Sequence, residues 1–194
     1  MRTWIIGSSS DYSKAVGDRC VGVTNFGRNN IDYGQSFEAF IKKQQYLPNR
    51  IFINIGVEEK LSVHINSLDT DWITMLQQFS KTWLWKIRLY SYFYNEKIPC
   101  TICDVTSSIT MWPQNHREHL AYATLRAMGQ QAAMAHNTDI LKIIQVSPNG
   151  ITPERIYEYA DKTVAWMREP DHAVNCIIDL DNNNLIGLRE IETV

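Results

Sequence analysis

The amino-acid sequence predicts a doubly wound parallel α/β sheet of about six strands with helices on both faces. Three observations lead there. Short apolar segments rich in Ile and Val recur along the chain, as expected of strands buried on both faces. Segments with helical periodicity separate them. The connections are short, so each strand-helix-strand unit closes as a right-handed crossover between parallel strands.

The strand candidates are Thr3–Ile6, Cys20–Thr24, Arg50–Ile55, Thr101–Val105, Ile140–Val146 and Val174–Leu180. After the Asn182-Asn183-Asn184 turn, Leu185–Ile191 is a candidate extra edge strand. Ser36 can cap a helix over Phe37–Gln45, which stops before Pro48. Asp69 or Thr70 can cap a long helix to about Tyr94, with Trp72, Leu76, Phe79, Trp83, Ile87, Tyr90 and Tyr94 as its expected sheet-facing stripe. Asn115 and Glu118 resemble a capping box opening a helix to about His136. Its alanines permit close approach to the sheet or another helix. Pro153 suits the first turn of a last helix reaching Arg168.

The 194 residues suit a single domain, 1–194, with a core large enough to need no staples. No repeat, linker or low-complexity tract divides it. A net charge of −2 gives no broad basic field for nucleic acid or anionic lipid. No apolar run approaches the roughly 20 residues that span a bilayer. Met1–Gly7 turns polar too soon for a signal peptide and reads as the first strand. Cys100 and Cys103 form a CxxC, but on a strand their odd separation sends the side chains to opposite faces. That favours core thiols over a redox or zinc pair. Reduced thiols and no targeting signal lead us to expect a cytoplasmic protein.

In open parallel sheets, ligands bind beyond the carboxyl ends of the strands, near the switch in strand order. The first strand ends in Gly7-Ser8-Ser9-Ser10-Asp11-Tyr12-Ser13. A glycine there lets backbone N–H groups approach a phosphate, and small serines can donate hydrogen bonds. A plain strand-to-helix turn explains the same residues equally well. Arg28, after the second strand, is of a type that pairs with a 2′-phosphate, or is a solvated loop residue. Asn54-Ile55-Gly56 ends the third strand, with a glycine that admits close backbone approach. The fourth strand ends in Asp104-Val105-Thr106-Ser107-Ser108-Ile109, and Tyr122 follows Ser108 by fourteen residues. Arg126 lies one helical turn beyond Tyr122 on the same face. A cation beside a phenol lowers its pKa and prepares it for proton transfer, while a serine hydroxyl can orient a carbonyl or alcohol. His116 and His119 are also one turn apart, but no third ligand accompanies them, and an exposed helical turn is favoured over zinc. No metal site is expected.

Taken together, these residues resemble the short-chain dehydrogenase/reductase family over nearly the whole length. Gly7–Ser10 is similar to its phosphate turn, Asn54-Ile55-Gly56 to its Asn-Asn-Ala-Gly, and Asp71-Trp72 to the acidic-Trp pair opening its long helix. Thr106–Ile109 resembles the strand end with the catalytic serine, and Tyr122–Ala127 the Tyr-x-x-x-Lys helix. Val146–Thr152 resembles the family's Ser-Pro-Gly segment. The resemblance implies a Rossmann-type sheet, an NAD(P) cofactor and hydride transfer between an alcohol and a carbonyl. It implies that Ser108 polarises the substrate oxygen, that Tyr122 is the acid/base, and that Arg126 stands where the family has lysine. Gly7, Ser8, Ser9, Ser10, Arg28, Asp32, Asn54, Gly56, Pro148, Gly150 and Thr152 would then line the cofactor groove. Arg28 tilts the expectation from NAD towards NADP.

The chain departs from that pattern at several points. Asp11 and Ser13 replace two glycines of the phosphate turn, and Phe79 stands near the family's relay asparagine. One strand-helix pair is missing, because the second strand runs almost directly into the Phe37 helix. The segment that encloses the substrate is missing too, because Thr152 leads straight into the last helix. These departures support two alternatives to an active oxidoreductase acting on a small alcohol or carbonyl compound. One is a non-catalytic relative that binds a nucleotide or other ligand, or serves as a scaffold. The other is a structural interaction subunit with no small ligand or cofactor. The aromatic run Trp83–Tyr94 surrounds its helix, which suggests an exposed apolar face, and the resembled family packs this helix and the next across a subunit dyad. The resemblance thus implies a homodimer or homotetramer through helices 70–94 and 116–136, with neither nucleic acid nor membrane expected as partner.

Overall fold

The computed structural model describes residues 1–27, 37–55, 84–106, 129–148 and 151–187. Its elements, in chain order, are β1 (Thr3–Ile6), α1 (Asp11–Asp18), β2 (Val23–Phe26), α2 (Phe37–Lys42) and β3 (Arg50–Ile53). Next come the described part of α3 (84–95), then β4 (Cys100–Val105), the described part of α4 (129–136) and β5 (Leu141–Ser147). The chain continues through α5 (Ile156–Arg168), β6 (Cys176–Asp179) and β7 (Asn184–Gly187).

The strands form one sheet in the order β2-β1-β3-β4-β5-β6-β7. β1 to β6 are parallel, and β7 adds antiparallel to β6. The chain moves outward from β1 to β2 and then crosses to β3 on the other side of β1. The switch in strand order therefore lies between β1 and β3. β2 stands at the sheet edge and α2 follows it, in keeping with the missing strand-helix pair.

Side-chain alternation divides the core in two. Trp4, Ile6, Ile51, Ile53, Cys100, Ile102, Leu141 and Ile143 face α2, α3 and α4. Ile5, Phe52, Cys103, Ile144, Val146 and Ile178 face α1 and α5. Each fully buried aliphatic side chain stabilises the fold by about 1.5–3 kcal/mol. Cys100 and Cys103 fall in opposite halves of the core, as their spacing requires. Burial pushes both thiols above the ordinary cysteine range, so neither is primed as a nucleophile.

Two local readings need correction. The second strand begins at Val23 instead of Cys20. Gly22 has a φ of +60° and its carbonyl accepts from Thr3 N–H, so residues 20–22 form a turn within an apolar stretch. The buried stripe of α3 also differs from the one expected. Trp85, Lys86, Leu89, Tyr90 and Phe93 are buried, whereas Tyr94 is exposed. Trp72, Leu76, Phe79 and Trp83 lie outside the described residues.

Candidate functional site

The carboxyl end of β1 passes directly into the turn before α1. Gly7 adopts φ +82°, and a Cβ built on it would lie 2.0 Å from the Asn54 carbonyl oxygen and 2.7 Å from its carbonyl carbon. Only glycine fits where the ends of β1 and β3 come this close. Ser10 caps α1, its Oγ accepting from Ser13 N–H at 3.1 Å. The Asn54 side-chain amide crosses the switch point and donates to Ser10 Oγ at 2.9 Å and Ser13 Oγ at 3.1 Å. Gly7, Ser10 and Asn54 thus sit together on one rim. Ser8 and Ser9 complete the turn, Ser9 exposed.

Several donors of this turn are engaged within the protein. Gly7 N–H and Ser8 N–H both bond the Phe26 carbonyl, at 2.9 and 3.3 Å. Ser13, at a position where the resembled family has glycine, is fully buried, and its hydroxyl lies 2.8 Å from Ser10 Oγ. Asp11, at the other such position, opens α1 and pairs at 2.9 Å with Lys14 in solvent.

Pro148 and Thr152, expected towards the other end of a cofactor groove, lie after β5. Pro148 comes directly after the strand, and Thr152 accepts Arg155 N–H through its carbonyl just before α5. Arg155 is salt-bridged to Asp181, beyond β6, and Tyr159 donates its hydroxyl to the same carboxylate. Burial, and then this carboxylate, push the Tyr159 phenol up to about 12. The β6–β7 turn is built around Asp179, which accepts from Asp181 N–H at 2.9 Å and Asn182 Nδ2 at 2.7 Å.

The sequence reading missed a third group. Seven buried polar residues lie on the α3/α4 side of the sheet: Lys86, Asp104, Thr106, Gln130, Gln145, Ser147 and Asp179, all 6% exposed or less. Those on strands occupy the carboxyl ends of β4, β5 and β6. Asp104 and Gln145 are register partners, as are Ser147 and Asp179. Lys86 Nζ donates to Asp104 Oδ1 at 2.7 Å, and Tyr90 OH donates to Asp104 Oδ2 at 2.9 Å. Burial, followed by the adjacent carboxylate, holds the Tyr90 phenol well above its ordinary range. The sequence carried a faint signal in Lys86 amid aromatic residues and Asp104 amid Cys, Ile and Val.

Ser108, Tyr122 and Arg126, with Arg28, Asp32, Gly56 and Gly150, lie outside the described residues, as do Phe79, His116 and His119. Among the described residues no three His, Cys, Asp or Glu side chains are grouped to hold a metal ion. Among them, too, no helix is long and apolar enough to cross a membrane.

No family model matches the chain, and no curated protein sequence does. Solved structures match its fold. A carbonyl reductase from Pseudomonas aeruginosa PAO1 in complex with NADP superposes with a TM-score of 0.69 at 13% identity, covering 96% of this chain and 100% of that one. A short-chain dehydrogenase/reductase from Vibrio parahaemolyticus gives 0.63 at 12% identity, over 84% and 91%. Serine dehydrogenase from Escherichia coli gives 0.61 at 14% identity, over 92% and 96%. The fold is that of the short-chain dehydrogenase/reductases. At such identities the likeness is one of fold, and chemistry must be argued from residues.

Proposed function

We propose, from the premise of a short-chain dehydrogenase/reductase-like fold, that this chain is an NAD(P)-dependent oxidoreductase of alcohols or carbonyl compounds. The observation that carries the reading is the rim at the switch point. There the ends of β1 and β3 close on each other through Gly7 and Asn54, and the start of α1 faces the crevice where such sheets bind dinucleotides. The structural neighbour from Pseudomonas aeruginosa is a carbonyl reductase in complex with NADP, which supports a nicotinamide dinucleotide as the cofactor. Bound there, the cofactor would supply or accept the hydride. The rim residues Gly7–Ser10 and Asn54 would hold its phosphate end, with Pro148 and Thr152 towards the other.

In this reading Ser108 orients the substrate oxygen by a hydrogen bond. Tyr122 exchanges the proton with that oxygen, and Arg126 holds positive charge beside the phenol. The test is incubation of the pure protein with NADPH and a panel of carbonyl compounds. Turnover that Tyr122→Phe abolishes is expected. Absence of turnover on every compound, with cofactor binding intact, would refute catalysis.

A second reading is favoured by the engagement of the turn's own donors. With Gly7, Ser8 and Ser13 N–H already bonded and Asp11 at the first helical position, the turn offers a diphosphate fewer donors and one repulsive charge. A non-catalytic ligand-binding relative fits that chemistry. It predicts binding without turnover.

A further inference from the structure

We infer that Lys86, Tyr90, Asp104 and Gln145 are positioning residues for the chemistry proposed above, holding the reacting ends of β4 and β5. The inference rests on that functional reading and on three observations. Lys86 and Asp104 form an ion pair 2.7 Å long with side chains 4% and 2% exposed. Removing both charges from water is costly, and well-packed apolar residues of similar volume commonly replace such a pair with no loss of stability. Folding alone therefore does not call for it.

The second observation is location. The buried polar strand residues on this face gather at the carboxyl ends, where ligands bind in parallel sheets, and Asp104 is four residues before Ser108. The third is Gln145. The residue is 4% exposed and lies beside Asp104 in register, and its side chain makes no hydrogen bond among the described residues. A buried unbonded amide is destabilising and uncommon, so the packing of the fold does not account for it.

Among the described residues, Asp104 meets groups from α3, β3 and β5. Lys86 and Tyr90 of α3 donate to it, and Gln145 of β5 is its register partner. β3 contributes the apolar Ile53. His136 of α4 lies further down, its ring 6.3 Å from that of Tyr90, and bonds Ser91 Oγ at 2.9 Å. The carboxylate accepts from both α3 side chains, so α3 fixes the strand end from which the chain proceeds to Ser108. The ion pair also places a fixed dipole in the low-dielectric interior, which acts on any titrating group near the carboxyl ends of β4 and β5.

The experiment compares wild type with Lys86→Met/Tyr90→Phe/Asp104→Leu, which leaves no buried donor of this group without an acceptor, and with Gln145→Met, following NADPH-dependent carbonyl reduction across pH and urea unfolding. Both variants are expected to unfold at the same or higher urea concentration. Each is expected to lose about tenfold in kcat at unchanged KM for NADPH, with a displaced pH midpoint. Should the triple variant fail to fold, Gln145→Met decides alone. Wild-type turnover with kcat and pH profile unchanged in the folded variants overturns the positioning role and leaves the oxidoreductase reading standing. Wild type that binds NADPH but reduces nothing overturns both.

Discussion

Replacing Gly7 by alanine is expected to destabilise the fold by about 2–5 kcal/mol, and the structure shows where each part arises. At φ +82° an L side chain adopts a backbone conformation costing about 1–2 kcal/mol. The added Cβ would stand 2.0 Å from the Asn54 carbonyl oxygen. That atom belongs to the backbone at the end of a central strand, so relief requires β1 and β3 to part, an overpacking cost of about 1–3 kcal/mol. Two other glycines serve as internal controls. Gly17 lies within α1, and its Cβ would meet Ile5 Cγ1 at an ordinary 3.6 Å, so Gly17→Ala should stabilise by up to about 1 kcal/mol. Gly22 has φ +60°, and its Cβ would lie 2.6 Å from the carbonyl oxygen of Met1, again a backbone atom. Gly22→Ala should therefore add an overpacking cost of about 1–3 kcal/mol to a backbone term of about 1–2 kcal/mol. Urea unfolding followed by tryptophan fluorescence gives the three values. Gly7→Ala within about 1 kcal/mol of wild type, or a Gly17→Ala loss exceeding it, would refute the argument for a closed rim.

Further outcomes follow from the same contacts. Lys86→Met alone leaves Asp104 buried without its counter-charge and should cost about 3–5 kcal/mol in urea unfolding, far more than apolar replacement of Lys86, Tyr90 and Asp104 together. Ser10→Ala removes the α1 cap and an acceptor for Asn54, and should lower stability by about 1 kcal/mol. Tyr159, raised to about 12 by burial and Asp181, keeps its proton in the folded chain after the unfolded chain has lost it. Its contribution is complete below about pH 10 and is lost as pH rises towards 12. Denaturation across that window should be steeper in wild type than in Tyr159→Phe.

The architecture was legible because buried strands announce themselves locally. Arg50–Ile53 and Cys100–Val105 are short Ile-rich runs whose alternation matches the two halves of the core. The start of β2 was less legible, since a positive φ at Gly22 decides it and the apolar character of Cys20 and Val21 conceals the turn. At the site, the small residues of Gly7–Ser10 and Asn54 pointed to close backbone approach, and the structure brings Gly7, Ser10 and Asn54 together. What sequence could not reveal was how they bond. Whether a serine hydroxyl faces a ligand or its own helix depends on a partner forty-four residues away. The Lys86–Asp104 pair was hidden for the same reason, because each residue alone reads as a surface charge until α3 is laid on β4.

The measurement that bears most directly on the proposed dinucleotide rim is calorimetric titration of the intact chain with NADPH and with NADH. The account predicts saturable binding of one dinucleotide per chain, NADPH the tighter. It also predicts affinity improved about threefold in Asp11→Asn, the worth of one exposed charge beside the phosphates. No binding of either dinucleotide, or affinity indifferent to Asp11, would contradict it.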